Sequence, residues 1–124
     1  MKVSNISICN RTKVKAENLK DIFKNLVVVS WDDVSKCDLV INATSVGLKK
    51  DDNLDLDFSK FKNAEFFYDV IYNPKETNFL RDAKKLGKKI ENGKKMFIYQ
   101  AAESFRIWHN IYPEINEEVS KLLD

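Results

Sequence analysis

Short apolar runs along the chain predict β-strands at residues 3–9, 26–29, 39–43 and 66–71. The last three runs are almost continuous in apolar residues and do not alternate with polar ones. This pattern is typical of parallel strands that are covered on both faces. A shorter strand is predicted at residues 88–91, and the polar stretch 49–63 is predicted to be a loop held by a few apolar side chains.

Apolar residues recur at helical spacing in the segments between these strands. Thr77 is the predicted N-cap of the second helix and Gly87 its predicted terminator, and a short helical turn is predicted at residues 31–36. The apolar positions of the first, second and last helices are Ala16, Leu19, Ile22, Phe23 and Leu26; Phe79, Leu80, Ala83 and Leu86; and Ile115, Val119, Leu122 and Leu123. Strands that alternate with helices predict an α/β fold, a Rossmann-like three-layer sandwich with a mostly parallel sheet.

The dipeptide Asn92-Gly93 is compatible with a hairpin turn between two strands. The residues after it instead repeat at helical spacing, which the alternation of a strand would not give. A helix is therefore predicted here. Its apolar stripe is Phe97, Ala101, Ser104, Phe105 and Trp108.

Composition narrows the classes of protein that the chain can represent. Its 124 residues predict a single domain, residues 1–124, and 44% hydrophobic with 32% charged residues is ordinary for a folded globular protein. A net charge of +2, with no apolar run of transmembrane length, predicts neither a nucleic-acid partner nor a membrane partner. Cys9 and Cys37 are too few and too far apart for a metal site or a disulfide scaffold, which favours the cytoplasm.

The first predicted strand ends on Asn10-Arg11-Thr12, with Lys13 and Lys15 close behind. In nucleotide-binding α/β folds, an acid at the end of the second strand binds the 2′-OH of NAD, whereas an arginine accommodates the 2′-phosphate of NADP. This turn contains no acid and offers an amide, a guanidinium and a hydroxyl. Such donors suit a phosphate, which Arg11 can bind through two parallel hydrogen bonds. The alternative is a solvated basic turn that opens a helix.

The segment 38–47 runs from a buried strand into small and polar residues. Thr44, Ser45 and Gly47 supply hydroxyls, backbone donors and room for a close approach of the backbone. These properties suit a phosphate or a ribose at the carboxyl end of the strand. Ordinary turn chemistry favours the same residue types, so this segment alone does not decide between the two interpretations.

Three further polar residues occupy positions that are predicted to be apolar or close to a ligand cleft. Asp69 is a charge inside an apolar strand and must pair or lie at an edge. Tyr72 ends that strand, and its phenol is predicted to point into the cleft where such sheets bind ligands. Gln100 falls on the predicted buried face of its helix, where an amide needs partners. Its partner is either a backbone group at a strand end or a polar ligand.

Four motifs of the chain occur in the order and with the spacing of one enzyme family. They are Asn-Arg-Thr with a following Lys and Ala; Asp-Leu-Val-Ile-Asn-Ala-Thr-Ser-Val-Gly-Leu; Tyr-Asp-Val-Ile-Tyr-Asn-Pro-Lys-Glu-Thr; and Asn-Gly-Lys-Lys-Met-Phe-Ile-Tyr-Gln-Ala-Ala with Phe105 and Trp108. Together they resemble shikimate dehydrogenase over almost the whole chain. The resemblance implies the NADP-binding, C-terminal half of an oxidoreductase that reduces 3-dehydroshikimate to shikimate with NADPH, in aromatic amino-acid biosynthesis.

The resemblance also implies roles for individual residues. The positions that it implies for the cofactor are Asn10, Arg11, Thr12 and Lys15 at the 2′-phosphate, Thr44 and Ser45 along the groove, and Val70, Gly93 and Met96 at the nicotinamide. The positions that it implies for the substrate are Tyr72 and Gln100. It implies no catalytic residue and no metal ligand in this chain. Lys95 departs from the family's pattern, because relatives often carry a smaller residue there. The larger side chain could affect how closely the local backbone approaches the cofactor.

Parts of the family's pattern have no counterpart here. No strand with a Gly-rich phosphate-binding turn precedes Ile6, and the family's N-terminal domain with its catalytic Lys–Asp pair is not matched. The chain is therefore expected to be a fragment that is inactive alone and works with the missing domain or with a second chain that supplies it. The alternative is a non-catalytic nucleotide-binding or interaction module derived from the family. The motifs do not separate shikimate from quinate as substrate.

The absent first strand would lie in the middle of a sheet with the strand order 3-2-1-4-5-6. Without it, the strands at residues 3–9 and 39–43 are expected to have unpaired inner edges, and such edges invite pairing with another strand. Either these two strands pair with each other across the gap, or the chain forms a homodimer through its exposed sheet edges.

Overall fold

The computed structural model describes residues 3, 5–31, 33 and 37–123. Within these ranges, five short parallel strands form two separate sheets. The first sheet pairs β1 (Ile6–Ile8) with β2 (Leu26–Val28). The second has the order β3-β4-β5, from the strands Leu39–Asn42, Phe66–Asp69 and Lys89–Glu91. The predicted α/β class with parallel strands is confirmed.

Helices follow most of these strands. The α-helices of the described ranges are α1 (Lys13–Lys20), α2 (Asn78–Lys85), α3 (Lys94–His109) and α4 (Glu117–Lys121). A single 3₁₀ turn, Phe58–Lys60, lies within the predicted loop 49–63. Thr77 caps α2 as predicted, because its hydroxyl accepts a hydrogen bond from the amide of Leu80. Gly87 follows that helix with a φ of +71°, as its role of terminator requires.

Some predicted boundaries are wrong. Helix α1 ends at Lys20, while Ile22 and Phe23 remain exposed in the connection. Leu26, predicted both in the first helix and at the start of a strand, belongs to β2, so only the strand prediction is confirmed. The run Leu26–Val28 ends in β-branched residues, which favour a strand over the last turn of a helix. The helical turn predicted at residues 31–36 falls mostly outside the described ranges.

The hydrophobic core lies between the second sheet and α2. Phe67 of β4 is its centre and is packed against Phe79, Leu80 and Ala83 of α2. The predicted loop 49–63 closes the other side of this core, as expected, through four apolar side chains. These are Leu54, Leu56, Phe58 and Phe61. The aromatic rings pack in stacked, tilted and edge-to-face pairs with centroids 5.6–6.3 Å apart, a favourable range for aromatic contacts.

The gap between the two sheets stays open in the described part of the chain. Strands β1 and β3 do not pair with each other, so the predicted closure by re-pairing is wrong. Helix α1 packs on β2, whereas α2 packs on β4 and β5. Each sheet is therefore fixed by its own helix, and joining them would disturb packing that has already formed. In the described ranges, the edges of β1 and β3 that the absent strand would join remain without a partner strand.

The buried face of α3 differs from the predicted one. Ile98 and Ala102 are its buried residues, whereas Phe105 is 41% exposed and Trp108 is 77% exposed. Gln100 also lies at the surface, so its prediction as a buried amide is wrong. The helix carries apolar residues on more than one face, and the spacing alone could not decide which face contacts the sheet.

Candidate functional site

Within each of the two sheets the described strands are parallel, so the carboxyl ends of its strands share one edge. Ligands of open α/β sheets bind outside this edge. The segments that leave it are the turn 9–12 after β1, the loop 43–47 after β3, the segment 70–77 after β4 and the turn 92–93 after β5. Apart from Lys15, Met96 and Gln100, which lie on α1 and α3, every predicted site residue falls in one of these four segments.

The turn after β1 presents unused hydrogen-bond donors at the start of α1. Thr12 has the extended conformation of an N-cap, yet its side chain makes no capping bond. The side-chain amide of Asn10 donates to the carbonyl of Thr12 over 2.9 Å, which shapes the turn. The side chains of Arg11 and Lys15 are exposed. The amide of Lys15 donates to the Thr12 carbonyl over 3.0 Å, so the amides of Lys13 and Val14 are those that remain available to an anion.

The charged side chains at the start of α1 are all positive. The first turn of α1 contains no acid, and Arg11 precedes it directly. The acid that follows, Glu17, pairs with Lys20 at 2.8 Å, toward the other end of the helix. The positive end of the helix dipole therefore adds to the positive side chains around it. This arrangement has the chemistry of an anion-binding site.

The loop after β3 is built around one hydroxyl. The Thr44 hydroxyl donates to Oδ1 of Asn42 over 2.7 Å and accepts from the amide of Val46 over 3.1 Å. The amide of Thr44 also donates to Asn42 Oδ1, over 3.0 Å. The predicted hydroxyl of Thr44 is thus engaged in shaping its own loop, whereas Ser45 is exposed at the loop's tip. Of these two residues, Ser45 is the one whose hydroxyl is free to meet a ligand.

The buried acid Asp69 is paired, as its position required. It accepts hydrogen bonds from the Asn42 side chain, the Thr77 hydroxyl and the Ile71 amide. Sequence reasoning did not single out Asn42. The signal was present, since Asn42 and Asp69 each end an apolar strand and lie directly opposite each other in the register of β3 and β4.

The start of α3 is locked against the end of β4. A Cβ atom on Gly93 would lie only 1.9 Å from the carbonyl oxygen of Val70, so no other residue fits there without a shift. The amide of Gly93 donates to the carbonyl of Ile71 over 3.1 Å. Two of the predicted nicotinamide contacts, Val70 and Gly93, are therefore in direct contact with each other.

Tyr72 packs against α3, and Gln100 lies on that helix. The ring of Tyr72 stacks on Phe97 of α3, with centroids 4.7 Å apart. Gln100 and Met96 are one turn apart and line a shallow surface concavity along α3. Lys95 points away toward β5, where its ammonium group lies 3.3 Å from the carboxylate of Glu91. The longer side chain at this position thus leaves the turn 92–93 unobstructed.

The pKa of each cysteine is raised above its ordinary value. Burial raises the pKa of Cys9, and burial together with the carboxylate of Asp38 raises the pKa of Cys37. Both cysteines are unpaired and protonated at neutral pH. No group of three or more metal-ligating side chains occurs among the residues that the structure describes.

Dehydrogenases match this chain in both sequence and fold. A curated shikimate dehydrogenase (NADP(+)) from Pelagibacter ubique is 48% identical over 124 residues, which are 100% of this chain and 47% of that enzyme. The structure of shikimate 5-dehydrogenase from Thermus thermophilus, in complex with NADP(H) and shikimate, matches with a TM-score of 0.82 at 31% identity. That match covers 97% of this chain and 46% of the other.

A quinate dehydrogenase from Corynebacterium glutamicum, in complex with NAD, matches with a TM-score of 0.80 at 25% identity, over 98% of this chain and 45% of that one. No protein-family model matches the chain. The resemblance that the four motifs indicate is confirmed by these matches, as is the Rossmann-like fold class. By sequence and by fold, this chain is related to the shikimate dehydrogenases, and it spans slightly less than half of their length.

Proposed function

We propose that this chain is the NADP-binding part of an NADP-dependent shikimate dehydrogenase. The observation that carries the proposal is the turn Asn10–Arg11–Thr12 at the open start of α1, in which the side chains of Arg11 and Thr12 are exposed donors. A 2′-phosphate placed there meets a guanidinium, a free hydroxyl and helix amides, all of them donors. The ribose of NAD offers only a hydroxyl, and the turn contains no acid to accept from it. The residues present therefore fit NADP better than NAD.

The remaining predicted contacts follow the carboxyl edge toward the other sheet. Ser45 borders the middle of the groove, and Val70, Gly93 and Met96 border the nicotinamide. Bound NADPH supplies the hydride that reduces the carbonyl of 3-dehydroshikimate. Tyr72, held by its stacking on Phe97, and the exposed Gln100 contact the substrate. The chain's own residues bind and orient, and the proton transfer falls to residues outside this chain.

We infer that a second body of protein covers this chain when it is active. Helix α3 and the segment after it expose several large apolar side chains, and isolated soluble domains rarely expose so many together. They are Tyr99, Phe105, Ile107, Trp108, Ile111 and Tyr112. Of these, Tyr99 and Ile107 line the same surface concavity as Met96 and Gln100, so a body seated there would hold the substrate against the nicotinamide. The occupant is the remaining half of the enzyme or a separate chain, and the chain alone is inactive.

Both cysteines are free, which favours the reducing cytoplasm as the place of function. None of the helices in the described ranges is long and apolar enough to cross a bilayer.

Calorimetric titration of the chain with NADPH and with NADH tests the cofactor assignment. We expect selective binding of NADPH, and we expect Arg11→Ala to weaken it by about 10- to 100-fold, the range for the loss of a charged hydrogen-bonding partner. Lys20→Ala is the matched control, because it removes a positive charge from the opposite end of the same helix. Equal affinity for the two cofactors, or NADPH binding that survives Arg11→Ala unchanged, would refute the assignment.

A further inference from the structure

A carboxylate with no contact to solvent lies at the centre of the candidate site. Asp69 is 0% exposed, yet it touches neither the surface groove nor a predicted ligand. Its oxygens accept from the Thr77 hydroxyl over 2.6 Å, from the Ile71 amide over 3.0 Å and from the Asn42 side chain over 3.2 Å. Burying a charge is costly unless it is hydrogen-bonded, so a side chain of this kind needs a role that an apolar residue could not fill.

One side of the carboxylate fixes the loop 43–47. Asn42 uses its amide nitrogen on Asp69 and on the Val46 carbonyl, which lies 3.0 Å away. This leaves Oδ1 of Asn42 free to accept from both the amide and the hydroxyl of Thr44. Because Asp69 accepts only, it dictates which way the Asn42 amide is turned. The orientation of one buried side chain thus determines the shape of the whole loop.

The other side of the carboxylate fixes the segment 70–77 and the two helices that border it. The amide of Ile71 donates to Asp69 while its carbonyl accepts from Gly93 at the start of α3. Thr77 donates to Asp69 and also caps α2 through the amide of Leu80. Three of the four segments at the carboxyl edge are therefore connected through Asp69. The turn 9–12, which lies on the other sheet, does not take part in any of these bonds.

We propose that Asp69 is a positioning residue: it aligns the loop 43–47 with the segment 70–77 and so shapes the nicotinamide half of the cofactor groove. It contacts no ligand itself and acts through Asn42 and Thr77. The cofactor part of this inference rests on the proposed function, whereas the ordering of the loop does not. The 2′-phosphate site on α1 is independent of Asp69.

Hydrogen exchange of single amides in Asp69→Asn tests the ordering of the loop. Each oxygen of Asp69 accepts from two donors, so the amide nitrogen of an asparagine would replace an acceptor with a donor there. The Asn42 side chain is then expected to turn over and release Thr44. We expect the amides of Thr44 and Val46 to exchange on the order of tenfold faster, as for the loss of a hydrogen bond to a charged group, with those of β2 unchanged. Asp38→Asn is the matched control, since Asp38 is exposed at the opposite end of β3.

Binding of two probes tests the role in cofactor recognition. NADP⁺ spans both sheets, whereas adenosine 2′,5′-bisphosphate needs only the site on α1. We expect Asp69→Asn to weaken NADP⁺ about tenfold and to leave the bisphosphate unchanged. A variant that is merely less stable would lose both probes together. A second pair of variants, Thr77→Val and Thr77→Ser, repeats the test without altering the carboxylate. Only Thr77→Val should weaken NADP⁺ and leave binding of the bisphosphate unchanged.

The outcomes separate the positioning role of Asp69 from the proposed NADP-binding function. Unchanged exchange at Thr44 and Val46, or a uniform acceleration across both sheets, overturns the positioning role of Asp69. If only the amides of Thr44 and Val46 exchange faster but Asp69→Asn weakens both probes equally, Asp69 does not act specifically on the nicotinamide half of the groove. If the unmodified chain binds neither probe, the proposed function fails and the cofactor part of this inference fails with it, while selective exchange would still support the ordering of the loop.

Discussion

Two glycines, one at each end of β5, are needed for different physical reasons. Gly93 has an ordinary φ of −73°, but a Cβ there would collide with the carbonyl oxygen of Val70. Gly87 has open space around its Cα, but its φ of +71° is unfavourable for any residue with a side chain. The first position is restricted by contact and the second by backbone conformation.

Alanine at each position should therefore have a different effect. Gly87→Ala should destabilise the fold by about 1 kcal/mol through its backbone and leave NADPH binding intact. Gly93→Ala should cost about 1–3 kcal/mol by overpacking and should also weaken NADPH, because α3 must shift away from β4. Urea unfolding with calorimetric titration measures both effects. Equal NADPH affinity in the two variants would contradict this assignment.

The Cys37 thiol gives a pH-dependent signal at the start of β3. Burial raises its pKa, and the carboxylate of Asp38 raises it further. Because only the thiolate reacts, the rate of alkylation by iodoacetamide should reach its midpoint at a higher pH than in free cysteine. Asp38→Asn should move the midpoint part of the way back, and Cys37→Ser identifies the signal.

The same shift has a consequence for stability, and its sign follows from linkage. The folded state holds the Cys37 proton more tightly than the unfolded chain does. Cys37 therefore stabilises the fold fully below its pKa in the unfolded chain, and this stabilisation is lost as the pH rises through its pKa in the folded state. If the alkylation rate of Cys37 reaches its midpoint at or below the pH found for free cysteine, the thiol is not desolvated.

At the scale of elements, the apolar pattern predicts where strands and helices lie better than it predicts how they pack. It predicts each strand after residue 25 to within about two residues, because continuous apolar runs leave few other interpretations. It misplaces the face of α3 because Phe97, Phe105 and Trp108 form as regular a stripe as the buried Ile98 and Ala102. Only the contact with the sheet distinguishes the two faces.

Two substitutions on α3 measure that difference. Ile98 is 7% exposed, so Ile98→Ala should leave a cavity and destabilise the chain by about 2–5 kcal/mol. Phe105→Ala should change the free energy of unfolding far less in the isolated chain, although it removes a larger side chain. Urea unfolding of the two variants checks the order. A larger loss in Phe105→Ala would mean that the predicted stripe is buried after all.

The site was predictable in part, for a reason that the network around Asp69 makes clear. The sequence shows that a charge inside an apolar strand needs partners, but it does not show which side chain supplies them. Asn42 becomes a partner only through the register of β3 and β4, which is a property of the paired strands. The pattern of apolar and polar residues thus does not predict contacts between residues that are distant in sequence.

At the scale of the whole molecule, the open gap between the sheets leaves strand edges that other strands can join. Ile41 of β3 is 53% exposed beside one such edge, and an apolar unpaired edge favours association. We expect the isolated chain to self-associate as its concentration rises, which sedimentation velocity can follow. Ile41→Lys should suppress the association, because a charged side chain at an edge opposes the pairing of strands.

Leu122→Lys is the control for this prediction, since it places the same charge on an equally apolar and more exposed position of the chain, on the segment that follows α4. Its association should match that of the unmodified chain. If Leu122→Lys suppresses association as strongly as Ile41→Lys, net charge and not the strand edge governs it. A chain that remains monomeric at every concentration would show that the open edges are protected within the monomer, and the apolar face of α3 would then be the remaining surface that calls for a partner.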